Sequence, residues 1–371
     1  MTDLFAPLSL RGVTLKNRIG VSPMCMYSCA EDGQPTDWHY QHLISRAVGG
    51  AGLVMTEAAA VTPEGRISPA DLGIWSDAQI PGHARLAAGI AAMGAVPAIQ
   101  IAHAGRKASR RQAWEHGPAT PGWEPLGPSA VAFGDYATPH ALSEAEIAAV
   151  IADTAAAAKR GIEAGYRFIE LHAAHGYLLH QFLSPLSNQR NDAWGGDLDG
   201  RARIVEETTR AVRAAIPDEV PLCIRLSHTD WVAGGWTTAE TVVLSARLKA
   251  LGVDMIDVTS GGLHHEQKIP LGPGYQVPGA EAVKSGAGIP VAAVGLITEP
   301  EQAQEILAAG KADLILLARV LLREPYWPLR AAAVLGRTET LQVPPQYERG
   351  WNTLGKMQRE ASIGVPMAPL A

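Results

Sequence analysis

Eight short apolar segments recur along the chain, and their number and spacing constrain the fold more than any other feature. They are NRIGVS (17–22), GLVMTEA (52–58), AVPAIQI (95–101), YRFIELH (166–172), PLCIRLS (221–227), VDMIDVT (253–259), PVAAVG (290–295) and ADLILLA (312–318). Each is closer to a continuous apolar run than to an alternation, which is typical of parallel strands buried on both faces. Alanine-rich segments of helical period separate them. Eight strand–helix units in about 320 residues predict a (β/α)8 TIM barrel, with a doubly wound open sheet as the alternative.

Signals at the ends of the helical segments support this alternation. Two segments begin at capping-box spacing, Ser143 with Glu146 and Thr298 with Glu301. A glycine directly before a strand is typical of a left-handed C-cap that turns into the sheet. Three segments end in this way, at Gly165, Gly252 and Gly310.

Composition and charge argue against several classes of function. The chain has 371 residues, a formal net charge of −6 and no long cluster of Lys or Arg that would indicate nucleic-acid binding. The first residues lack the pattern of a signal peptide, and no apolar run reaches the roughly 18 to 20 residues of a membrane-spanning helix. Cys25, Cys29 and Cys223 are too few for a disulfide framework. We therefore expect a cytoplasmic protein without nucleic-acid or membrane partners.

Two connections are too long for ordinary loops between a strand and a helix. Residues 108–141 are rich in Pro, Gly and Trp, and residues 261–276 also contain several Gly and Pro. Both follow predicted strands at the C-terminal rim, where the active sites of barrels lie, so both are candidate lids. We expect one barrel domain over residues 1–371, in which 108–141 caps the site and the tail, 340–371, forms a C-terminal arm.

Polar residues follow or end seven of the predicted strands. Because the carboxyl ends of parallel strands meet at one mouth, these side chains should converge there, which indicates an enzyme. In chain order they are Cys25, Tyr27, Glu57, Gln100, His103, Arg106, Lys107, His172, His175, Tyr177, Arg225, Gly295 and Arg319.

The last two strands indicate a phosphate site. Gly295 closes the seventh strand and Arg319 follows the eighth, where barrels commonly bind phosphate through backbone N–H groups. Arg225 within the fifth strand needs an anionic or carbonyl partner, because an unpaired buried guanidinium is unfavourable. A ligand with phosphate at one end and carbonyl groups at the other would satisfy all three residues.

His172, His175 and Tyr177 allow three interpretations. A metal site is the first, but no acidic residue lies beside the histidines and zinc sites usually have more ligands. Two structural core histidines are the second. The third is acid-assisted chemistry, in which imidazole N–H groups polarise a substrate oxygen and the phenol delivers a proton to a neighbouring carbon.

Several motifs in this chain resemble those of the Old Yellow Enzyme family of flavin-dependent ene-reductases. They are SPMCMYS, EAAAVTPEGRIS, QIAHAGRKAS, ELHAAHGYLLHQFLSPLSNQRNDAWGG, AVGLIT and LLAR. They occur in the family's order and cover nearly the whole chain. Cys25 and the PPQYERGW tail are similar to those of the bacterial "thermophilic-like" subgroup, which includes xenobiotic reductase A.

The resemblance implies noncovalently bound FMN in the mouth. It assigns Ser22, Pro23, Met24 and Cys25 to the dimethylbenzene and N5 side of the flavin, and Arg225 to its N1–C2=O region. The remaining FMN contacts that it implies are Ala58 and Gln100 at the ring edge, and Gly295 and Arg319 at the phosphate.

The resemblance also implies a ping-pong reaction. NADPH or NADH reduces the flavin and leaves, and an activated alkene such as an enone, enal or maleimide, or a nitro compound, then accepts hydride from N5. His172 and His175 would bind the substrate oxygen as two donors, and Tyr177 would protonate the α carbon. Tyr27 and Lys107 would lie near the substrate, and Cys25 would tune the flavin.

In the subgroup, an arginine in the tail crosses a dimer interface into the neighbour's site. The resemblance assigns this role to Arg349 and so implies a homodimer or homotetramer. A metal-dependent barrel hydrolase and a non-catalytic flavin-binding protein are the alternatives from other classes. The dienoyl-CoA and trimethylamine dehydrogenase branch is disfavoured because the chain has no cysteine cluster for an iron–sulfur centre.

Overall fold

A closed barrel of eight parallel strands forms the centre of the protein in the computed structural model, which describes residues 2–341 and 343–350. The strands are Ile19–Val21 (β1), Leu53–Ala60 (β2), Val96–Ala102 (β3), Phe168–Ala173 (β4), Leu222–Ser227 (β5), Met255–Thr259 (β6), Val291–Ala293 (β7) and Leu314–Leu317 (β8). The ladder between β8 and β1, with Ile315 opposite Ile19, closes the ring. All eight predicted strands are therefore confirmed, and the open-sheet alternative is wrong.

Helices separate the strands along the chain and pack around the barrel. They are Asp37–Val48 (α1), Ile80–Ala92 (α2), Glu144–Glu163 (α3), Leu178–Leu183 (α4), Leu198–Ala215 (α5), Thr238–Ala250 (α6), Val277–Ala287 (α7), Pro300–Ala308 (α8), Arg319–Arg323 (α9) and Trp327–Val334 (α10). Single 3₁₀ turns occur at Pro63–Gly65, Asp77–Gln79, Gly105–Lys107, Thr338–Thr340 and Pro345–Tyr347. No helix in residues 2–341 and 343–350 is long and apolar enough to cross a membrane.

The N-terminal end of the barrel is filled by an apolar hairpin. Strands Leu8–Leu10 and Val13–Leu15 pair antiparallel, and their buried leucines and valine pack in one cluster with inward-facing barrel side chains such as Met55 and Phe168. A second and larger cluster lies between the strands and the surrounding helices. The hairpin leaves the C-terminal end as the open mouth of the barrel.

The predicted helix ends are mostly confirmed. Gly165, Gly252 and Gly310 all have positive φ, as a left-handed C-cap requires. Ser143 and Glu146 form the predicted capping box at the start of α3. The box predicted for Thr298 and Glu301 is wrong: Glu299 is the N-cap of α8, because Pro300 is placed at the first helical position, where its missing N–H is not needed.

The long connection 108–141 leads from β3 to α3 and contains a short parallel pair, Leu126–Gly127 with His140–Ala141. Arg106 joins it to the other long connection, because its guanidinium donates to the carbonyls of Val131 and Leu263 at 3.1 and 2.7 Å. Both connections therefore meet beside the mouth. Of the tail 340–371, residues 342 and 351–371 lie outside the described part of the chain.

Candidate active site

A sharp turn after β4 brings the two predicted histidines and the tyrosine together. His175 and Gly176 both have positive φ, +56° and +74°. A Cβ on Gly176 would lie 2.3 Å from the carbonyl oxygen of Gly262, so only glycine fits there. The ring of His172 lies edge-on to His175 and Tyr177, with centroids 5.3 and 4.9 Å away. The turn thus gathers three polar rings at the mouth.

A third histidine of the same motif, His180 on α4, anchors this turn. Its Nδ1 accepts from the N–H of Gly176 at 2.9 Å, and its Nε2 lies 2.9 Å from a carboxylate oxygen of Asp230. Burial works to raise the pKa of Asp230, but His180 and the donors Ser184 and Trp236 hold it below the usual range. Sequence reasoning missed His180, although its position five residues after His175 was available as a signal.

Lys107 closes the turn from the opposite side. Its ammonium donates to the carbonyls of His175 and Gly262 at 2.9 and 3.0 Å and lies 5.1 Å from the ring centroid of Tyr177. Burial, with a smaller contribution from Arg106, lowers the pKa of Lys107 to about 8. In the described structure Lys107 therefore holds backbone beside the mouth.

The protonation states of the three rings follow from their surroundings. Burial, and then the charge of Arg225, lowers the pKa values of His172 and His175, so both imidazoles are neutral at neutral pH. Burial raises the pKa of Tyr177, which keeps its phenol protonated. The N–H of Ala174 donates to Nδ1 of His172 at 3.3 Å, so the ring proton of His172 resides on Nε2. His172 therefore offers an N–H donor.

The segment after β1 is held by the buried carboxylate of Glu57, which the sequence predicted at the mouth but without a role. Glu57 accepts from the N–H of Met26 at 3.0 Å and pairs with His39 at 2.9 Å. Pro23, Met24 and Cys25 lie half-buried on this segment. Burial raises the pKa of the Cys25 thiol, so it is not a nucleophilic thiolate.

Strand register places other predicted residues side by side inside the barrel. Ala58 is opposite Gln100, and His172 is opposite Arg225. Arg225 also donates to the hydroxyl of Ser22 at 3.2 Å. Ala58 and Tyr177 both line one small cavity, together with the buried Asp71. The mouth thus unites residues from β1, β2, β3, β4 and β5.

Arg225 has an internal partner that the sequence analysis overlooked. Its Nε lies 3.0 Å from a carboxylate oxygen of Asp257, the register neighbour on β6. The need for an anionic partner is therefore met within the protein, and a ligand is not required to explain this arginine. Close by, Glu170 accepts from the amide of Gln100 at 2.8 Å and from the thiol of Cys223 at 3.4 Å.

Gly295 and Arg319 line the same cleft, of about 210 Å³, beside Thr259, Gln276 and Ala318. Gly295 has φ of +121°, and a Cβ there would lie 2.8 Å from the amide nitrogen of Gln276. A guanidinium beside closely approachable backbone is the donor set that a phosphate needs. The residues present therefore fit the phosphate end of a mononucleotide such as FMN.

Tyr27 and Arg349 are the remaining predicted residues. Tyr27 has φ of +49° and packs edge-on against Trp114 of the connection 108–141, with ring centroids 5.7 Å apart. Arg349 is exposed in the described part of the tail. Within residues 2–341 and 343–350, no group of three or more His, Cys, Asp or Glu side chains is arranged to hold a metal ion.

The chain matches known proteins along nearly its whole length. Residues 3–337 match the NADH:flavin oxidoreductase / NADH oxidase family. The chain is 47% identical over 353 residues to the NADPH dehydrogenase of Listeria innocua serovar 6a. The matched residues make up 95% of this chain and 100% of that protein.

Solved structures give the same result. The old yellow enzyme homologue from Zymomonas mobilis is similar with a TM-score of 0.76 and 25% identity, over 93% of this chain and 98% of that one. A 2-naphthoyl-CoA reductase complex gives a TM-score of 0.82 and 28% identity over 91% of this chain, which spans about half (53%) of that longer protein. Because the matches extend over the barrel and the mouth together, the chain belongs to the NADH:flavin oxidoreductase / NADH oxidase family and is an FMN-dependent, NAD(P)H-oxidising enzyme of the Old Yellow Enzyme type.

Proposed function

We propose that this enzyme reduces activated carbon–carbon double bonds in enones, enals and maleimides, and also accepts nitro compounds. The observation that supports this most is the neutral N–H donor of His172 beside the protonated phenol of Tyr177, with ring centroids 4.9 Å apart. A donor for a substrate oxygen and an acid for the adjacent carbon are the two groups that such a reduction needs from the protein.

FMN, when bound, supplies the hydride for the β carbon of the substrate. We assign its ring to Ser22, Pro23, Met24, Cys25, Ala58, Gln100 and Arg225, and its phosphate to Gly295 and Arg319. The protein side of the reaction is then simple. His172 polarises the carbonyl through Nε2–H, with His175 beside it, and Tyr177 transfers its phenolic proton to the α carbon. Lys107 holds the backbone of the turn that carries His175 and Tyr177, and Glu57 holds the segment after β1. We place Tyr27 at the substrate's outer edge.

The test is an anaerobic spectrum of the purified protein. We expect a yellow protein that bleaches with NADPH and regains its colour when cyclohexenone is added. A protein that bleaches but does not recover its colour with enones, maleimides or nitroalkenes would rule out alkene and nitro reduction while leaving the NADPH oxidation intact. A yellow protein that never bleaches with NADPH or NADH would instead favour the non-catalytic flavin-binding alternative.

The proposal includes self-association and a cytoplasmic setting. We assign Arg349 to the neighbouring subunit's mouth in a homodimer or homotetramer, and the three unpaired thiols suit a reducing compartment. A chain truncated after Pro345 should keep its thermal unfolding midpoint. It should lose alkene reduction, measured by steady-state kinetics, and sedimentation would report whether it still forms the oligomer. Wild-type kinetics in the truncated chain would remove Arg349 from the site.

A further inference from the structure

A buried chain of hydrogen bonds runs from the phosphate cleft to His175. The amide nitrogen of Gln276 donates to the carbonyl of Val294 at 3.0 Å, directly before Gly295. The amide oxygen of Gln276 accepts from the hydroxyls of Thr259 and Ser260 at 3.1 and 2.7 Å. The hydroxyl oxygen of Thr259 lies 2.9 Å from Nε2 of His175. Gln276 and Thr259 are almost fully buried, so water does not compete freely for these bonds.

Counting protons along this chain fixes the tautomer of His175. The Val294 carbonyl can only accept, so it orients the Gln276 amide with its nitrogen toward Val294 and its oxygen toward the hydroxyls. Thr259 has one hydroxyl proton, and this proton goes to the Gln276 oxygen. The Thr259 oxygen must then accept from His175, which places the single ring proton of the neutral imidazole on Nε2. Nδ1 of His175 is left as an acceptor.

His172 has the complementary arrangement. Its Nδ1 accepts from the N–H of Ala174, so its Nε2 is a donor. The resemblance implied that both histidines donate to the substrate oxygen. The hydrogen bonds of the resting protein instead make the pair one donor and one acceptor.

We propose that Thr259, oriented by Gln276, is a specificity-determining positioning residue that sets the tautomer of His175, so that the resting site favours a ligand hydroxyl over a ligand carbonyl. The proposal rests on the proposed function, in which this pair binds the ligand oxygen. A phenol or enol can accept from His172 and donate to Nδ1 of His175 at once. A carbonyl oxygen can use both histidines only in the other tautomer of His175, in which Nδ1 has taken up a proton from water and Nε2 has given its proton up to water. The Thr259 hydroxyl then turns and donates to the unprotonated Nε2.

This change breaks the hydrogen bond from Thr259 to Gln276, while the hydrogen bond from Ser260 to Gln276 remains. One neutral hydrogen bond corresponds to about 3- to 10-fold in affinity. The same change lets one site bind both hydroxyl and carbonyl ligands, with rotation of the Thr259 hydroxyl accompanying the change of tautomer.

The direct test is ¹⁵N NMR of histidine-labelled, FMN-loaded protein without substrate, with His175→Gln used to assign the signals. We expect a protonated Nε2 and an unprotonated Nδ1 for His175 in the wild type, and a shift toward protonated Nδ1 in Gln276→Leu, where Thr259 is released to donate to His175. A protonated Nδ1 in the resting wild type would overturn the proposal, and this measurement needs no variant of Thr259.

The second readout is the ratio of two dissociation constants. Phenol and cyclohexanone have rings of the same size and differ in the oxygen group, and both can be titrated against the absorbance of oxidised FMN at neutral pH. In Thr259→Val we expect the preference for phenol over cyclohexanone to fall about 3- to 10-fold, because the tautomer is no longer imposed. Thr259→Ser should restore the wild-type ratio, and Thr209→Val, a buried threonine on α5, is the matched control. Equal ratios in the Val and Ser variants would contradict the proposal.

Failure of the proposed function can be distinguished from failure of the proposal for Thr259. If His172→Ala changes the affinity of neither ligand, ligand oxygens do not bind at this pair and the proposed function fails. The NMR assignment of His175 would stand or fall independently of that result.

Discussion

The two ends of the barrel are built on opposite principles. At the N-terminal end, the hairpin of residues 8–15 fills the barrel with leucines, a valine and their apolar partners, and its polar contact between Ser9 and Thr14 lies on the exposed face. At the C-terminal end, many of the side chains at the mouth are polar and are held by polar partners, as Arg225 is by Asp257. The first end should tolerate changes of shape at the expense of stability alone. The second should lose catalytic activity when a single proton or hydrogen-bond partner is altered.

The largest effect is expected at the mouth, from Tyr177→Phe. Removing the phenolic proton should slow reoxidation by cyclohexenone about 10²- to 10⁴-fold, because a positioned general acid is lost. Stopped-flow absorbance measures this step, while the rate of reduction by NADPH and the thermal midpoint serve as controls and should stay near wild type. An unchanged rate of reoxidation would assign the proton to another group.

Asp257→Ala should combine the two kinds of effect, because it breaks a buried ion pair beneath the mouth. Arg225 would be left as an unpaired buried charge, and we expect a loss of about 3–5 kcal/mol in the free energy of unfolding. Urea denaturation of the FMN-loaded protein measures it. Glu281→Ala, which removes the exposed pair with Lys311, is the matched control and should cost about 1 kcal/mol or less. Equal losses in the two variants would contradict the buried-pair interpretation.

Leu15→Ala tests the apolar end. Leu15 is buried under the barrel, so its truncation should lower the free energy of unfolding by about 2–5 kcal/mol. The dissociation constant of FMN and the rate of alkene reduction, measured well below the unfolding midpoint, should remain within about twofold of wild type. A selective loss of catalysis would show that the two ends are coupled.

Glu170→Gln should have the smallest effect on the free energy of unfolding, and it should change how that free energy depends on pH. Burial, and then Asp257, raises the pKa of Glu170, so the folded protein keeps this proton at a pH where the unfolded chain has lost it. In the wild type this contribution to stability is fully present at acidic pH and declines as pH rises toward the raised pKa. Glutamine mimics the protonated acid, so urea midpoints at about pH 5 and pH 8 should differ less in the variant than in wild type. A steeper dependence in the variant would show that Glu170 is ionised.

Much of this architecture could be predicted from the sequence. The strands were predictable because buried parallel strands have continuous apolar sequences. The C-cap glycines were predictable because a residue without Cβ suits the positive φ at these positions best. Convergence of Gly295, Arg319 and the His172–Tyr177 turn followed from the parallel topology. The start of α8 was mispredicted because a proline at position 300 overrode the capping spacing of Thr298.

The partners of the site residues could not be predicted. Asp257 lies within an apolar strand, and only the register between β5 and β6 reveals that it pairs with Arg225. Thr259 and Gln276 are 84 and 101 residues from His175, and neither belongs to a local motif around it. Hydrogen bonds over such separations depend on the geometry of the closed barrel, which a single sequence does not display.

The hairpin that seals the N-terminal end also has a kinetic consequence. Because it fills that end, we expect the coenzyme and the alkene of the proposed reaction to enter through the same open mouth, one after the other. An alkene or phenol that enters before the nicotinamide blocks the next cycle as a dead-end complex. We therefore expect each substrate to inhibit at high concentration by competing with the other, which makes the enzyme's throughput depend on the ratio of the two and not only on their amounts.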